Sequence, residues 1–513
     1  MRRWTLSVVT AIAVLATAAP APAQTWAVED PVLREIWRLG MEASQAMDIA
    51  QTLMDSIGPR LTGTPGHDRA VAWAVGQLQG WGVDARAEQY GTWNGWTRGI
   101  THVDLISPRV RTLEAAMLAW SPGTNGVLEA EAVAIPEFAS EAAFEAWLPS
   151  VAGKVVAAAF PQPTCRPIAH YEEFGQPDAA ERLDEERGEA MQRFGANKPN
   201  SSALRARLEE AGAAAILESN WQTLGVNRIF GTNTTRTPTV DVGCEDYGLV
   251  YRLAANGQGP VLRIIAESED RGEVPARNVV GVIRGTELPD EYVMLSAHYD
   301  SWDGASGATD NGTGSTTMLE AMRILGQTYP RPKRSILLGL WGGEEHGLHG
   351  SRRFAAMHPD IVDGIQVLFN QDNGTGRVTR IALQGLVNAG GPILDWLARV
   401  PTQISSHIQL TAPGFPGSGG SDYASFICAG APAFSLSAIS WGYNPYTWHT
   451  NRDTFDKIVP EEIMNNATLT AMLVYLASEH PERLSRERRS MGEALTWPTC
   501  QPGAERSPRA VGR

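Results

Sequence analysis

Four near-continuous apolar runs in the C-terminal half of the chain constrain its fold more than any other feature. Each run has the length of a strand, lacks a polar face, and is separated from the next by an amphipathic or turn-rich segment. They are residues 278–283, 292–297, 335–341 and 366–370. Such runs suit a parallel sheet, because helices cover both of its faces. The sequence therefore predicts an α/β fold with a mostly parallel central sheet flanked by helices.

The N-terminal residues have the pattern of an export signal. Arg2 and Arg3 precede an apolar run, and small residues follow that run just before Gln24. We therefore predict a signal peptide at residues 1–23 and an exported protein, periplasmic or secreted. No later stretch reaches roughly 18 uninterrupted apolar residues, so no transmembrane anchor is expected in the mature chain.

A change of pattern in the middle of the chain predicts an inserted unit at residues 122–265. This unit has no cluster of His and acidic residues, and its three short predicted strands are 153–159, 213–217 and 238–242. The catalytic domain is then discontinuous, with residues 24–121 and 266–480 on either side of the insert. A charged tail follows at 481–513, and we expect it to be partly disordered.

The charge balance excludes one class of partner. The 513-residue chain has 57 Asp and Glu against 43 Lys and Arg, which gives a formal net charge of -14. An acidic surface repels a phosphate backbone, so nucleic acid is not an expected partner. A hydrophobic content of 43% with 19% charged residues also excludes disordered, collagen-like and coiled-coil classes.

Four cysteines are spaced too widely for a metal knuckle. Export permits disulfides, and four cysteines allow three pairings. The pairing Cys165–Cys244 and Cys428–Cys500 keeps each bridge within one part of the chain, and we expect it on that ground. Buried free thiols are the alternative.

Imidazole and carboxylate side chains follow the predicted strands of the C-terminal half at the points where those strands end. In chain order they are His298, Asp300, Asp310, Glu344, Glu345, Asp372 and His449. In an open α/β sheet such positions converge on one crevice. Taken singly, each has an ordinary explanation, such as a helix N-cap. Together they place uncompensated negative charge in one crevice, which costs several kcal/mol unless a cation is bound.

Nitrogen and carboxylate donors without thiolates suit a divalent metal, above all Zn²⁺. Two imidazoles and three carboxylates form a pair of sites if one carboxylate bridges, and Asp310 is the candidate bridge. His298 and Asp372 would complete one site, and Glu345 and His449 the other. Two such ions, roughly 3.5–4 Å apart, can share a hydroxide nucleophile and polarise a carbonyl.

Two acidic residues remain for other roles. Asp300, two residues beyond His298, would fix the tautomer of that imidazole. Glu344 would act as the general base, taking a proton from the bridging water and passing it to the leaving amine. His346 and His349 are expected to be structural neighbours of the Glu pair rather than ligands of a third metal.

Five segments resemble the motifs of the co-catalytic di-zinc exopeptidases, a family that includes bacterial leucyl aminopeptidases, glutamate carboxypeptidase II and carboxypeptidase Q. The segments are 298–301, 307–314, 344–351, 371–372 and 449–454. Residues 153–265 resemble the protease-associated domain that many members carry as an insert. The resemblance implies the zinc exopeptidase fold, two Zn²⁺ per chain, and the ligand and base assignments given above. It also implies a cis peptide bond after Asp310.

The direction of attack on a peptide depends on which terminus the site holds. Clamping a carboxylate favours Arg, yet no Lys or Arg lies between Arg399 and Arg452, where the glutamate carboxypeptidase branch brings Arg. Four aromatic residues instead predict an apolar substrate pocket, or simply pack under the His449 loop: Trp441, Tyr443, Tyr446 and Trp448. We expect an aminopeptidase acting on short peptides.

Three alternatives stay open. The first is a dipeptidase or carboxypeptidase of the carboxypeptidase Q type. The second is a receptor-like binding protein without catalysis, which the complete set of ligands disfavours. The third is a one-zinc enzyme that cyclises N-terminal glutamine, which the inserted unit disfavours.

Overall fold

The computed structural model describes residues 29–220, 227–492 and 496–505. The predicted signal peptide at 1–23 lies outside the described residues. Within the described ranges, no helix combines the length and the apolar character that crossing a membrane requires.

The described residues form a mixed α/β structure around one large sheet. In chain order its strands are β1 Asp84–Ser107, β2 Arg111–Thr112, β3 Ala115–Met117, β4 Leu128–Ala134, β5 Val155–Ala157, β6 Ala215–Glu218, β7 Thr239–Val242, β8 Val261–Ile283, β9 Leu288–His298, β10 Arg334–Trp341, β11 Ile365–Asn370, β12 Val378–Ala382, β13 Gln409–Thr411 and β14 Ala433–Ala438. The helices are α1 Pro31–Trp37, α2 Ala46–Gln51, α3 Pro65–Gly80, α4 Glu141–Trp147, α5 Ile168–Phe174, α6 Ala179–Gly195, α7 Ser201–Glu210, α8 Cys244–Ala255, α9 Thr313–Thr328, α10 His349–Met357, α11 Pro359–Gly364, α12 Gly390–Leu397, α13 Thr402–Ser405, α14 Ala424–Ile427 and α15 Pro460–Glu479. Single turns of 3₁₀ or π type cover Arg38–Glu42, Thr52–Ile57, Leu148–Val151, Ala308–Gly312, Tyr443–Thr447 and Phe455–Lys457.

The four apolar runs are all strands of the central part of this sheet. Strand β9 pairs in parallel with β10 and with β11, and β11 pairs in parallel with β14. Their residues are buried because α9 and α15 pack on β9 and on each other, while α3 packs on β8. The predicted fold class is thereby confirmed. The run 278–283 differs in one respect: it is the end of β8, which pairs with β10 in antiparallel fashion.

The middle of the chain forms a second parallel region of the same sheet. Strands β4, β5, β6 and β7 pair in parallel in that order, and β3 closes the edge. The long antiparallel ribbon of β1 and β8 joins this region to the central strands. The predicted insert boundary at 265/266 falls inside β8, so the sheet continues without a break from one unit to the other.

Two disulfides join the predicted cysteine pairs. Cys165 is bonded to Cys244, and Cys428 is bonded to Cys500, which confirms the pairing expected from the sequence. The second bridge ties the C-terminal tail to the body. Residues 496–505 of the tail are held by this bridge and by hydrogen bonds such as that from the Trp497 indole to the Ile427 carbonyl (3.0 Å).

Candidate active site

The carboxyl ends of β9, β10 and β11 carry three of the predicted ligands to one edge of the sheet. β9 ends at His298, β10 is followed by Glu344 and Glu345, and β11 is followed by Asp372. The turn after β10 depends on Gly343, which has φ +69° and would place a Cβ 2.6 Å from the Tyr90 hydroxyl. Glycine at this position therefore permits the tight turn that places Glu344 and Glu345 directly after the strand.

The other two ligands come from irregular segments. Asp310 lies in the turn Ala308–Gly312 that precedes α9, and the peptide bond from Asp310 to Asn311 is cis, as the family resemblance implied. His449 follows the turn Tyr443–Thr447 and has φ +60°. A left-handed backbone at a residue other than glycine costs roughly 1–3 kcal/mol and is found mostly where function requires it.

The five predicted ligands meet as two sets that share Asp310. The Nε2 atom of His298 is 3.2 Å from Oδ1 of Asp310 and 3.2 Å from Oδ1 of Asp372. The Nε2 atom of His449 is 3.2 Å from Oδ2 of Asp310 and 3.0 Å from Oε2 of Glu345. Each oxygen of Asp310 therefore faces a different imidazole, as a bridging carboxylate between two metal ions would.

The hydrogen bonding of His298 indicates that a cation belongs in this arrangement. Its Nδ1 atom is 3.0 Å from the main-chain oxygen of Asp300, so the N–H group of the neutral ring lies at Nδ1. Burial alone would lower the pKa of His298, but the carboxylates of Asp372 and Glu344 raise it well above its usual value, so Nε2 directs a proton or a bound cation at carboxylate oxygens. A zinc ion accepts nitrogen and oxygen donors of this kind, so the residues fit that metal.

Space and burial agree with an ion at this position. The five ligand side chains are at most 8% exposed, and the Oε1 atom of Glu345 is buried without a hydrogen-bond partner among the described residues. A cavity of about 10 Å³, lined by Trp302, Asp310, Glu345, His449 and Asp453, lies beside them. That volume is near the minimum that one water molecule needs.

The predicted base lies beside the same cluster. Ligand atoms of Glu344, His298 and Asp372 all lie within 4.8 Å of one another. Burial raises the pKa of Glu344 well above its usual value, and Asp372 and Asp422 raise it further, while His298 opposes them. Glu344 is therefore a carboxylate that takes up a proton readily, which is the property a general base requires.

The pKa values of Glu345 and His449 reflect the same crowding of charge. Burial and the neighbouring Asp310 raise the pKa of Glu345 to about 7. Burial alone would lower the pKa of His449, but Glu345 and Asp310 together raise it to about 9. Without a metal ion, the protonated imidazole of His449 supplies the positive charge beside these two carboxylates.

Asp300 contacts the His298 imidazole through its main chain. Its main-chain oxygen, rather than its carboxylate, is the nearer acceptor for the His298 Nδ1–H group, since the closest carboxylate oxygen is 3.7 Å away. The carboxylate instead accepts hydrogen bonds from the Thr62 hydroxyl (3.0 Å) and from the Glu344 main-chain N–H (3.2 Å). Asp300 therefore positions both a ligand and the base.

Two supporting residues were not singled out from the sequence. The Asp453 carboxylate accepts hydrogen bonds from the main-chain N–H groups of Thr309 (2.6 Å) and Asp310 (3.0 Å). Arg60, fully buried, donates to the main-chain oxygens of Tyr299 and Gly307. Asp453 lies in a segment that the family resemblance covers, but only contacts reveal that it and Arg60 hold the loops of the predicted ligands.

The four predicted pocket aromatics divide into two groups. Trp441, Tyr443 and Tyr446 line a cavity of about 240 Å³ that also contacts Thr309, next to the predicted bridge. Trp448 does not line this cavity; its ring stacks on the His449 ring with centroids 3.9 Å apart. Burial raises the pKa of Tyr443, and the charges of Asp310, Asp372 and Glu345 raise it further, so its hydroxyl stays protonated beside the ligands.

His346 and His349 lie outside the two ligand sets. The His346 ring packs against Trp93, Trp120 and Trp302 at centroid distances of 5.5, 4.8 and 4.9 Å. Burial lowers its pKa to about 4. The Nδ1 atom of His349 accepts a hydrogen bond from the main-chain N–H of Ala504 in the tail. Among the described residues, the candidate metal clusters include neither histidine.

Comparison with protein families agrees with this geometry. Residues 278–474, which contain all five predicted ligands and the base, match the sequence model of "Peptidase family M28". Residues 278–474 belong to peptidase family M28. The match confirms the family that the five sequence motifs indicated.

Curated relatives and solved structures extend the comparison. Carboxypeptidase Q of Homo sapiens is 27% identical over 255 residues, which are 49% of this chain and 52% of that protein. The chain thus spans about half the length of the curated relatives it matches. A peptidase M28 precursor from Shewanella amazonensis has a TM-score of 0.66 at 23% identity, covering 90% of this chain and 98% of that one. A zinc aminopeptidase from Bacillus subtilis has a TM-score of 0.54 at 18% identity, with 86% and 97% covered. These two structures share the fold.

Proposed function

We propose that this protein is a zinc-dependent exopeptidase that removes the N-terminal residue of short peptides. The single observation that carries the proposal is the sharing of Asp310 between two imidazole–carboxylate sets, with Glu344 beside them. This is the donor arrangement that two zinc ions require, and it leaves one buried carboxylate free for proton transfer. The family match and the name of the Bacillus relative support zinc as the metal.

The chain would hold one zinc ion with His298, Asp310 and Asp372, and the other with Asp310, Glu345 and His449. When bound, the two ions supply Lewis-acid polarisation of the peptide carbonyl and activate a water molecule. The main-chain oxygen of Asp300 keeps the His298 lone pair directed at its ligand position. Asp453 holds the loop of the shared carboxylate in place.

Glu344 would carry the proton. It takes a proton from the attacking water, and its raised pKa lets it hold that proton until the leaving amine accepts it. The hydrogen bond from its main-chain N–H to Asp300 fixes where the side chain starts from. A positioned group of this kind contributes about 10²–10⁴-fold to the rate.

Asp422 supports recognition of a free N-terminus. It is fully buried, and neither of its carboxylate oxygens has a hydrogen-bond partner among the described residues. It lies close enough to Glu344 to raise the pKa of that residue. A buried carboxylate without a partner is a receptor for a cation, and the α-ammonium group of a peptide is one.

A dipeptidase or carboxypeptidase of the carboxypeptidase Q type is the second candidate, and Lys457 favours it. Lys457 lines the cavity of about 240 Å³ beside the ligands and could receive a C-terminal carboxylate. Its ammonium group is, however, already 2.6 Å from the Asp456 carboxylate. For this reason we place the aminopeptidase first.

A panel of short peptides tests the direction of attack. One peptide sequence is offered in three forms: with both ends free, N-acetylated, and C-amidated. Cleavage of the free and amidated forms, but not of the acetylated form, is expected. Cleavage that survives acetylation and stops on amidation would replace the aminopeptidase by the carboxypeptidase Q type.

The control for this panel is the same protein with Asp310→Ala, which should bind neither zinc ion. Cleavage by this variant at the wild-type rate, with no zinc bound, would mean that a contaminating peptidase produced the signal. A wild-type protein that binds two zinc ions yet cleaves none of the three forms would favour the receptor-like binding protein.

We also propose that the protein is exported after removal of residues 1–23. Two disulfides support an oxidising compartment, since such bonds are rare in the cytosol. Short peptides that reach this compartment would be the substrates.

A further inference from the structure

A short segment of the inserted unit, residues 227–230, pairs with the loop that carries His449. The main-chain N–H of Ile229 donates to the His449 oxygen at 2.8 Å, and the N–H of Asn451 donates to the Asn227 oxygen at 2.9 Å. The two segments run antiparallel between these bonds. A ligand of the catalytic region is thus paired, main chain to main chain, with residues of the insert.

Side chains of the same segment enclose the His449 ring. The Phe230 ring stands edge-on to the imidazole at 5.1 Å and 82°, while Trp448 stacks on it at 3.9 Å. The Arg228 guanidinium lies 4.7 Å from the centroid of the Trp448 ring. Phe230 therefore contacts the His449 imidazole, and Arg228 contacts the Trp448 ring that stacks on it.

The segment is itself anchored inside the insert. The Asn227 side chain donates to the Asp241 carboxylate at 3.0 Å and to the Asp241 main-chain oxygen at 3.2 Å. Asp241 lies on β7 and is fully buried. The main-chain oxygen of Phe230 accepts a hydrogen bond from the main-chain N–H of Ala119, just before the predicted insert, at 3.0 Å. The position of the segment is therefore set by Asp241 in the insert and by the chain that leads into it.

His449 needs such support more than His298 does. The Nδ1–H of His298 has an acceptor in the main chain of Asp300, but Nδ1 of His449 is buried without a hydrogen-bond partner among the described residues. A metal-binding imidazole is usually oriented by a hydrogen bond at its other nitrogen. Among the described residues no such bond is present at His449, and its backbone carries a left-handed φ of +60°.

We propose that the inserted unit is a positioning element for the zinc site, and that residues 227–230 hold His449 in its ligand geometry in place of the missing hydrogen bond. The inference rests on the proposed function, because it takes His449 as a ligand of the second zinc ion. The inserted unit would then contribute to zinc affinity, independently of substrate selection.

The test measures zinc affinity rather than catalysis. Asn227→Ala removes the anchor to Asp241, and Phe230→Leu removes the ring edge while keeping an apolar side chain. Asn233→Ala is the matched control, since this Asn belongs to the same predicted insert and its side chain bonds to Ser202 and Arg205, away from His449. Competition with a chromophoric chelator gives the affinity of each of the two zinc ions, and circular dichroism reports folding.

The expected result is a loss of about 10- to 100-fold in the affinity of one zinc ion in both variants, the range seen when outer partners of metal ligands are removed. The other zinc ion and the control keep wild-type affinity. Wild-type affinities in both variants, or an equal loss of both ions, would overturn the positioning role. If Asn227→Ala does not fold, Phe230→Leu decides alone.

The same measurement separates this inference from the proposed function. A wild-type chain that binds fewer than two zinc ions would overturn the di-zinc site and the positioning role with it. A wild-type chain that binds two ions, loses one selectively in the variants, and cleaves no peptide would leave the positioning role standing and overturn the peptidase.

Discussion

Two buried carboxyl groups, Asp241 in the predicted insert and Asp310 in the catalytic region, have different hydrogen-bond neighbours. Asp241 in the insert accepts hydrogen bonds from the main-chain N–H of Asn220 (2.7 Å) and from the side chain of Asn227 (3.0 Å). Asp310 in the catalytic region instead faces Nε2 atoms of His298 and His449. Both groups are shielded from water, so only these neighbours distinguish them.

The difference teaches what turns a buried acid into a metal ligand. Burial raises the pKa of Asp241 to about 8, although its amide donors oppose the shift, so a proton can neutralise this group. Burial would also raise the pKa of Asp310, but the two imidazoles lower it below its usual value. Asp310 therefore keeps its charge and is available to a divalent cation. Imidazoles opposite the carboxylate, rather than burial, distinguish the candidate metal site from the buried acid of the predicted insert.

Removing the shared carboxylate should have the largest effect. Asp310→Ala should abolish binding of both zinc ions and with it activity, because each oxygen serves a different site. Zinc per chain, measured by elemental analysis after dialysis, checks this. Asp241→Asn is the matched control, since it removes the acid of a buried carboxyl but keeps an acceptor for Asn227, and it should keep both zinc ions through the same dialysis. Retention of one ion by Asp310→Ala would show that Asp310 does not bridge.

The base should matter for turnover but not for the metal. Glu344→Gln keeps the size and polarity of the side chain and removes its ability to take a proton. We expect two zinc ions per chain and a kcat lower by about 10²–10⁴-fold. Steady-state kinetics on the free peptide gives the number. Activity within a few-fold of wild type would rule out Glu344 as the base.

The smallest effect concerns the pH dependence of stability in the insert. A folded pKa of about 8 at Asp241 lies above the unfolded value, so the folded state binds the extra proton and loses stability as pH rises from about 4 to 8. Asp241→Asn has no such group. Denaturant unfolding of both zinc-free proteins should show the wild type losing up to about 1.4 kcal/mol per pH unit relative to the variant. A difference independent of pH would mean that the amide donors keep Asp241 ionised.

The sequence predicted much of the candidate site because its signals are local. Apolar runs ending in His298, Glu345 and Asp372 indicated strand ends at one edge, and the structure brings these residues together. The division into two sets around Asp310 follows from donor chemistry alone. The direction of β8 was not predictable, since a buried run looks the same in a parallel or an antiparallel pair.

Other features depend on contacts that no local pattern encodes. The role of the Asp300 main chain, the stacking of Trp448 on His449, and the support from Asp453 appear only when the loops are placed. The hydrogen bond from the Trp497 indole to the Ile427 carbonyl is another such contact, because the two residues are 70 apart in sequence.

By itself, the sequence determined the chemical inventory of this protein: an α/β sheet, five candidate metal ligands, one candidate base and two disulfide pairs. The tertiary structure alone decided which partners each side chain meets. Asn227 and Asn451 are 224 residues apart in sequence, yet the main-chain N–H of Asn227 donates to the Asn451 side chain in the loop that carries His449. Periodicity and residue type record what a segment can bury or bind, whereas the electrostatic and steric surroundings of His449 and Asp241 arise only when distant segments pack together.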